Sequence, residues 1–400
     1  MDNVKKQFPI FKNFKDNELI YLDSASTTQK HESVLLELDN YYKKYSANIH
    51  RSVYPIAEKA TNKFENSREK VSKFINSKIE EIVFTKNATE AINIVAYSWG
   101  LDNLKKDDII LISEMEHHSN LIPWQFISKK TGCTLKYIPM LNDGSLDINS
   151  FDSMISEKVK FVSIIHQSNV LGTVNPIEKI IKKAHQYNAL VMIDAAQSIS
   201  HHKIDVKSLD CDFLVFSGHK MFASTGVGVL FGKYDLLNQM NPFMYGGQMI
   251  NQVSLKESNW NEVPLKFEAG TPNIAEVISL GAAIDFIESL GLENINSYLK
   301  KITNEYLKLL NNFSDLTIYG SDLDRGPVIS FNIENIHPYD FCQIMGQYNI
   351  CLRAGNHCAQ PLLDKLGTTA TNRISFQIYN TLDEINIFEE KLKKTVNFLR

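Results

Sequence analysis

Short apolar runs of strand length recur along this chain, and polar residues close nearly all of them. Ile82-Val-Phe-Thr85, Asp108-Ile-Ile-Leu-Ile-Ser113, Lys160-Phe-Val-Ser-Ile-Ile165, Leu190-Val-Met-Ile193 and Phe213-Leu-Val-Phe216 are rich in β-branched and aromatic residues. Helical patterns separate them, over 89–99, over 123–130, and where Ile177, Ile180, Ile181, Ala184 and Tyr187 share one face. Strands alternating with helices predict a mainly parallel α/β sheet, whose ligands bind beyond the carboxyl ends of the strands. Thr89, His117, Asn169, Asp194, Gln197 and Lys220 all follow such ends. Each alone reads as a loop residue, and Thr89 as a plain N-cap. Their shared position in the local architecture predicts one site. Val227-Gly-Val-Leu-Phe231 is expected to close the sheet beside the Phe213 run.

Lys220 is the most telling of these residues. It stands just past the break Ser217-Gly-His219. Burying an ammonium costs several kcal/mol unless it is paired or neutralised. A lysine that snorkels off the strand end to solvent is the plain alternative. Conversion to an imine of pyridoxal phosphate also removes the cost, and that cofactor needs an acid for its ring nitrogen. Asp194, at the end of the preceding strand, is the candidate.

The 400 residues are enough for two domains. Beyond a polar, interrupted excursion over 246–272, expected to include a hairpin, the pattern changes. Helices over 276–290, 293–311, 338–347 and 382–400 mix with strands over 327–332, 350–353 and 373–379, which predicts a smaller α+β unit. The net charge of −4 gives no sign of a nucleic acid or an anionic membrane as main partner. The first 14 residues lack the apolar core of a signal peptide, and no run approaches the ~18 apolar residues of a membrane span, so a cytoplasmic location is expected. The five cysteines are odd in number and none has Cys-x-x-Cys spacing, so neither a disulfide framework nor a zinc site of that kind is expected. Cys133, Cys211, Cys342 and Cys351 lie in or beside apolar runs and read as inert. Cys358 lies in the polar, glycine-bearing loop Ala354-Gly-Asn-His-Cys-Ala359, expected to be movable, where an arginine or His357 favours the reactive thiolate.

The motifs Tyr21-Leu-Asp-Ser-Ala-Ser26, Asn87-Ala-Thr-Glu90, Glu116-His-His118, Ser168-Asn-Val-Leu-Gly172, Asp194-Ala-Ala-Gln197, Ser217-Gly-His-Lys220, Phe267-Glu-Ala-Gly-Thr-Pro272 and Arg353-Ala-Gly-Asn-His-Cys-Ala-Gln-Pro361 cover nearly the whole chain. Together they resemble the SufS-type, pyridoxal-phosphate-dependent cysteine desulfurases of the class V aminotransferase group. The resemblance implies the fold-type I α/β architecture: an N-terminal arm (1–20) packing on the small domain, a large cofactor-binding domain with a mainly parallel sheet (21–272) and a small α+β domain (273–400) carrying the cysteine loop. It implies that Lys220 holds the cofactor, with Asp194 on the ring nitrogen, Gln197 on the ring oxygen, Asn169 near that oxygen and the substrate carboxylate, and His117 over the ring. Ala88, Thr89, Ser217 and His219 would hold the phosphate, and Thr271 that of a neighbouring subunit, hence a homodimer. Arg373 would clamp the substrate carboxylate, with Arg353 near the entrance, a task suited to planar bidentate donors. Cys358 would take sulfur from L-cysteine, leaving alanine, for iron–sulfur cluster assembly. Asn356, Ala223, Ser224, Asn372 and Ile374 depart from the usual pattern without removing a named group.

The same cofactor would serve a selenocysteine lyase, an aminotransferase or a kynureninase-like hydrolase, and an inactive scaffold for sulfur carriers is the rival of another class. The short loop and the hairpin resemble the branch that depends on an acceptor protein. Tyr339 stands where SufU-dependent relatives resemble one another in a zinc-seeking histidine, which favours a SufE-like over a SufU-like partner. His337 would substitute only if Pro338 redirects it.

Overall fold

The computed structural model describes residues 4–14, 18–321 and 324–400, so the expected arm over 1–20 lies partly outside the described residues. Seven strands form the main sheet: β1 (Ile82–Thr85), β2 (Ile109–Ser113), β3 (Thr134–Ile138), β4 (Val159–Ile165), β5 (Leu190–Asp194), β6 (Phe213–Ser217) and β7 (Gly228–Gly232). Their spatial order is β1-β7-β6-β5-β4-β2-β3. Strand β7 runs against both its neighbours, as the closing strand of the sheet, and every other pairing is parallel. Since β1 and β6 both oppose β7, they point the same way. The carboxyl ends of β1, β2, β4, β5 and β6 therefore share one edge.

Helices cover both faces of this sheet, as its doubly apolar strands require. On one face Trp99, Trp124 and Ile127 pack with Ile110, Ile112 and Phe161. On the other, Ile177, Ile180, Ile181 and Ala184 pack with Leu111, Val162 and Ile164. The helix expected over 89–99 runs over Ala88–Val95 and widens into a π-helical turn at Ala96–Gly100. Strand β3 has no counterpart in the apolar pattern. It is an edge strand with Thr134, Lys136 and Tyr137 exposed, and such charged edges resist pairing with another chain.

A second, wholly antiparallel sheet joins Leu316–Tyr319, Val328–Ile333, Thr371–Ser375 and Arg353–Gly355, in that spatial order. The strand expected over 350–353 divides. Ile350–Cys351 pairs with Ile20–Tyr21, and Arg353–Gly355 joins the sheet beside Thr371–Ser375. The expected hairpin is present, with Ile250–Val253 antiparallel to Ser258–Trp260. Helix Ile274–Leu290 is buried along most of its length and packs on Glu32–Lys44 and Pro55–Phe74. Near the N-terminus, Phe8 is fully buried among His31, Phe222, Phe286 and Tyr379, and Lys5 pairs with Glu384 at 2.5 Å. Among the described residues no helix is long and apolar enough to cross a membrane.

Candidate active site

The shared carboxyl edge opens into a cavity of about 240 Å³. The main sheet contributes Ala88, Thr89, His117, Asn169, Asp194, Gln197, Ser217, His219 and Lys220 to its wall, and the second sheet and its loops contribute Arg353, Cys358 and Arg373. Thr271 lies elsewhere, in a separate hollow with Phe84, Lys86 and Met244.

At the end of β1 the chain turns directly into a helix. Asn87, and not Thr89, is its N-cap: Asn87 Oδ1 accepts the Glu90 N–H at 2.9 Å. This turn lies so close to β7 that a Cβ on Gly228 would sit 2.5 Å from Asn87 Cα, so only glycine fits there. The Ala88 N–H donates to Ser217 Oγ at 2.9 Å, which ties the ends of β1 and β6 together. Thr89 Oγ1 meets Ser119 Oγ at 2.7 Å. The Ser119 N–H donates to His117 Nδ1 at 3.1 Å, so Nδ1 is the bare nitrogen and Nε2 carries the proton. Burial, and then the Lys220 charge, push the His117 pKa down to about 3, so its ring is neutral.

Lys220 sits in a single helical turn after β6. The carbonyl just before it, that of His219, accepts from the N–H of Thr28 at 3.0 Å, the hydroxyls of Thr27 and Thr28 at 3.2 and 3.1 Å, and Lys30 Nζ at 3.2 Å. Phe222, two residues on, has φ of 70°, a costly value for a bulky side chain, and its N–H donates to Thr28 Oγ1 at 2.8 Å. The N-terminal segment thus fixes the turn that aims Lys220. Desolvation lowers the Lys220 ammonium to about 8, while Asp194 opposes the shift. Burial pushes the Asp194 carboxyl up, against one hydrogen bond from the Ala196 N–H at 2.9 Å. His219 is held neutral, down to about 4, by desolvation and then by Lys220.

Arg373 is buried. Its Nη1 donates to the Asn169 carbonyl at 3.0 Å and its Nη2 to Asp23 Oδ1 at 3.0 Å, while Nε has no partner among the described residues. Arg353 is exposed at the rim.

Hydrogen bonds hold the cysteine loop along its length. His357 and Cys358 both have left-handed φ, 51° and 57°. The Cys358 N–H donates to Asn356 Oδ1 at 3.0 Å, and the Cys358 carbonyl accepts from the His118 N–H at 2.7 Å. Asn169 Nδ2 donates to the His357 carbonyl at 2.8 Å, and the Gln360 N–H to His118 Nε2 at 3.1 Å. His357 is buried with Nε2 on Thr371, and desolvation followed by the two arginines holds it neutral, down to about 2. It therefore supplies no cation to a Cys358 thiolate. Lys220, Arg353 and Arg373 line the same cavity as Cys358. Burial pushes the thiols of Cys133, Cys342 and Cys351 up, Cys342 to about 12, and that of Cys211 further still.

Residues 20–388 match the class-V aminotransferase family model. The chain belongs to the class-V aminotransferase family. Within it, its place is among the cysteine desulfurases, the name its relatives carry. A probable cysteine desulfurase of Halalkalibacterium halodurans is 47% identical over 99% of this chain and 98% of its own. A cysteine desulfurase of Haloferax volcanii is 42% identical over 92% of this chain and 87% of its own. The apo structure of the Thermococcus onnurineus cysteine desulfurase superposes with a TM-score of 0.95 at 38% identity, covering 99% of this chain and 98% of that one. The Escherichia coli cysteine desulfurase CsdA, in S-sulfonic acid form, gives 0.93 at 33%, covering 100% and 99%.

The wall also holds Ser26 and Ser119, and Asn356 tethers the Cys358 N–H and Glu116 lies buried next to His117, residues to which motif reading assigned no role. Ser26, Ser119 and Asn356 act through hydroxyl or amide contacts that no spacing rule reveals. Glu116 is buried, takes Ser113 Oγ at 2.5 Å, Asn120 Nδ2 at 2.7 Å and the Ile165 N–H at 3.0 Å, and is raised to about 7 by desolvation. It stands beside His117 in a motif that was legible, but its burial was not.

Proposed function

We propose that this protein is a SufS-type, pyridoxal-phosphate-dependent cysteine desulfurase that converts L-cysteine to L-alanine and leaves a persulfide on Cys358 for iron–sulfur cluster assembly. The observation that carries the reading is the convergence of Lys220, Asp194, His117, Arg373 and Cys358 on one cavity from two separate sheets.

The residues fit the cofactor. Asp194 is a buried carboxyl with a single internal donor, suited to a protonated ring nitrogen. Asn169 Oδ1 is buried without a partner among the described residues, as expected beside a missing polar group. Thr89, Ser217 and His219 surround a helix start, which favours a phosphate. The Ala88 N–H reaches that site through the Ser217 hydroxyl. When bound, pyridoxal phosphate supplies an electron sink for the substrate Cα.

The chain supplies the rest. Arg373 and Arg353 bind the substrate carboxylate. Lys220, with its amine neutral above about pH 8, holds the cofactor and then takes the Cα proton. His117, neutral and with its proton on Nε2, would lie over the bound cofactor's ring and assist proton transfer there. The Cys358 thiolate attacks the substrate sulfur. A sulfur–sulfur bond forms as the carbon–sulfur bond breaks, and that electron pair stays on carbon, which takes up a proton to give alanine.

The short loop cannot carry its sulfur far, so an acceptor protein must come to it. Tyr339 is exposed beside the loop: a Cβ on Gly355 would lie 2.9 Å from its hydroxyl. His337 Nδ1 accepts the Tyr339 N–H as a helix cap, which supports a SufE-like over a SufU-like acceptor. A homodimer is supported by the distance of Thr271 from its own cavity, which suits service to the partner's site, and by exposed Val53, Tyr54, Met244 and Tyr245. The division at residue 272 follows the same reading, since Lys220 and Cys358 lie on opposite sides of it. The test is to incubate the holoenzyme with L-cysteine, with and without each acceptor, and to follow alanine. Alanine that rises with a SufE-like protein supports the reading, and none under any condition overturns it.

A further inference from the structure

Two arginines share one hydroxyl at the wall of the cavity. Ser26 Oγ accepts from Arg353 Nη1 at 2.8 Å and from Arg373 Nη2 at 2.8 Å, and donates to Asp23 Oδ1 at 2.6 Å. The assignment is forced. A guanidinium only donates, and a carboxylate only accepts. A serine hydroxyl has one hydrogen and two lone pairs, so all three of its capacities are filled.

The two arginines differ in what else holds them. Arg373 is buried and also bonded to Asp23 and to the Asn169 carbonyl. Arg353 is exposed, and among the described residues Ser26 is its only side-chain hydrogen-bond partner. Like charges this close repel, and a long side chain at a rim gains entropy by swinging into water. The Ser26 oxygen opposes both effects, and Asp23, which takes its proton, strengthens the oxygen as an acceptor. Remove the hydroxyl and Arg373 stays in place, while Arg353 loses its tether.

We infer that Ser26 is a positioning residue that selects substrates bearing an α-carboxylate, by holding Arg353 beside Arg373 so that both guanidinium groups meet the carboxylate. The inference rests on the desulfurase reading only for the identity of that substrate. Without Ser26, Arg353 must be reordered each time a ligand binds. The effect belongs to binding, not to the sulfur chemistry, and vanishes for a ligand with no carboxylate.

The test compares wild type, Ser26→Ala and Ser26→Thr holoenzymes. L-alanine and ethylamine, which share an amine and differ by the carboxylate, are titrated against the cofactor absorbance. The KM and kcat for L-cysteine are measured alongside. Ser26→Ala should weaken L-alanine and raise the KM about tenfold, equal to ~1.4 kcal/mol. Ethylamine affinity and kcat should stay within about twofold. Ser26→Thr, which keeps the hydroxyl, should restore L-alanine binding. In an Arg353→Ala background Ser26→Ala should add little, because its effect runs through that arginine. Equal weakening of L-alanine and ethylamine, no weakening of either, or a full additional loss in the Arg353→Ala background overturns the inference. A wild-type enzyme that makes no alanine from cysteine overturns the desulfurase reading instead, and the two titrations still judge Ser26.

Discussion

Asn356→Ala should slow persulfide formation while leaving the earlier proton chemistry intact. Asn356 Oδ1 accepts the Cys358 N–H at 3.0 Å, the one side-chain contact that holds the nucleophile's own backbone N–H. The two residues beside it, His357 and Cys358, are both left-handed, a conformation that costs of order 1–3 kcal/mol per residue and persists only where neighbours enforce it. Other restraints remain, from His118 (N–H and Nε2), Asn169, Thr371 and the Ala359 N–H on the Asn356 carbonyl, so the loop does not collapse. The loss is then that of one hydrogen bond, about 1 kcal/mol net. That lowers the attack-ready population about fivefold. The assay is single-turnover mass spectrometry of Cys358 after mixing with saturating L-cysteine, beside solvent exchange of the substrate Cα proton. Persulfide formation should slow about fivefold and exchange should not change. An unchanged persulfide rate, or an equal slowing of both, would refute the tether.

Three further outcomes follow from the site and the core. Apoprotein should take up pyridoxal phosphate faster as pH rises and level off above about 8, because the neutral Lys220 amine is the reacting form and burial lowers its pKa to about 8; a rate still climbing at the ordinary lysine value contradicts this, as read by absorbance. His117→Ala should slow Cα exchange about 10²–10⁴-fold, the range for loss of a positioned acid–base group, and a loss under tenfold speaks against its role. Arg68 donates twice to Glu268, at 2.7 and 2.9 Å, in a fully buried pair that also receives the Phe84 N–H, so Glu268→Ala should cost about 3–5 kcal/mol in denaturant unfolding, and a cost under 1 would show that the pair is dispensable.

The sheet was legible because its central strands are apolar on both faces, and their carboxyl ends are marked by Asp194, Ser217 and Asn169. Strand β3 was not, since an edge strand buries only part of itself and Thr134-Leu-Lys-Tyr137 carries no continuous apolar signal. The break at Leu352 was hidden because both halves of that strand are extended, and only the partner strand tells them apart. At the site, residue identity announced Lys220, Cys358 and Arg373, whereas their restraint did not show. Glycine and small residues around Cys358 gave no sign of its hydrogen bonds to Asn356 and His118, the second of which lies far away in sequence. His357 read as a cation beside the thiol, but burial against Arg373 and Arg353 keeps it neutral. Burial depends on tertiary packing, which no local pattern reports.

The most direct test of the central claim is the mass of Cys358 after the holoenzyme meets L-cysteine in the absence of any acceptor. A desulfurase of this geometry gains one sulfur atom on the peptide containing Cys358, on no other cysteine, and releases alanine in equal amount. Sulfur on Cys133, Cys211, Cys342 or Cys351, or alanine formed with Cys358 unmodified and unaffected by Cys358→Ser, would contradict the assignment of Cys358 as the attacking thiolate.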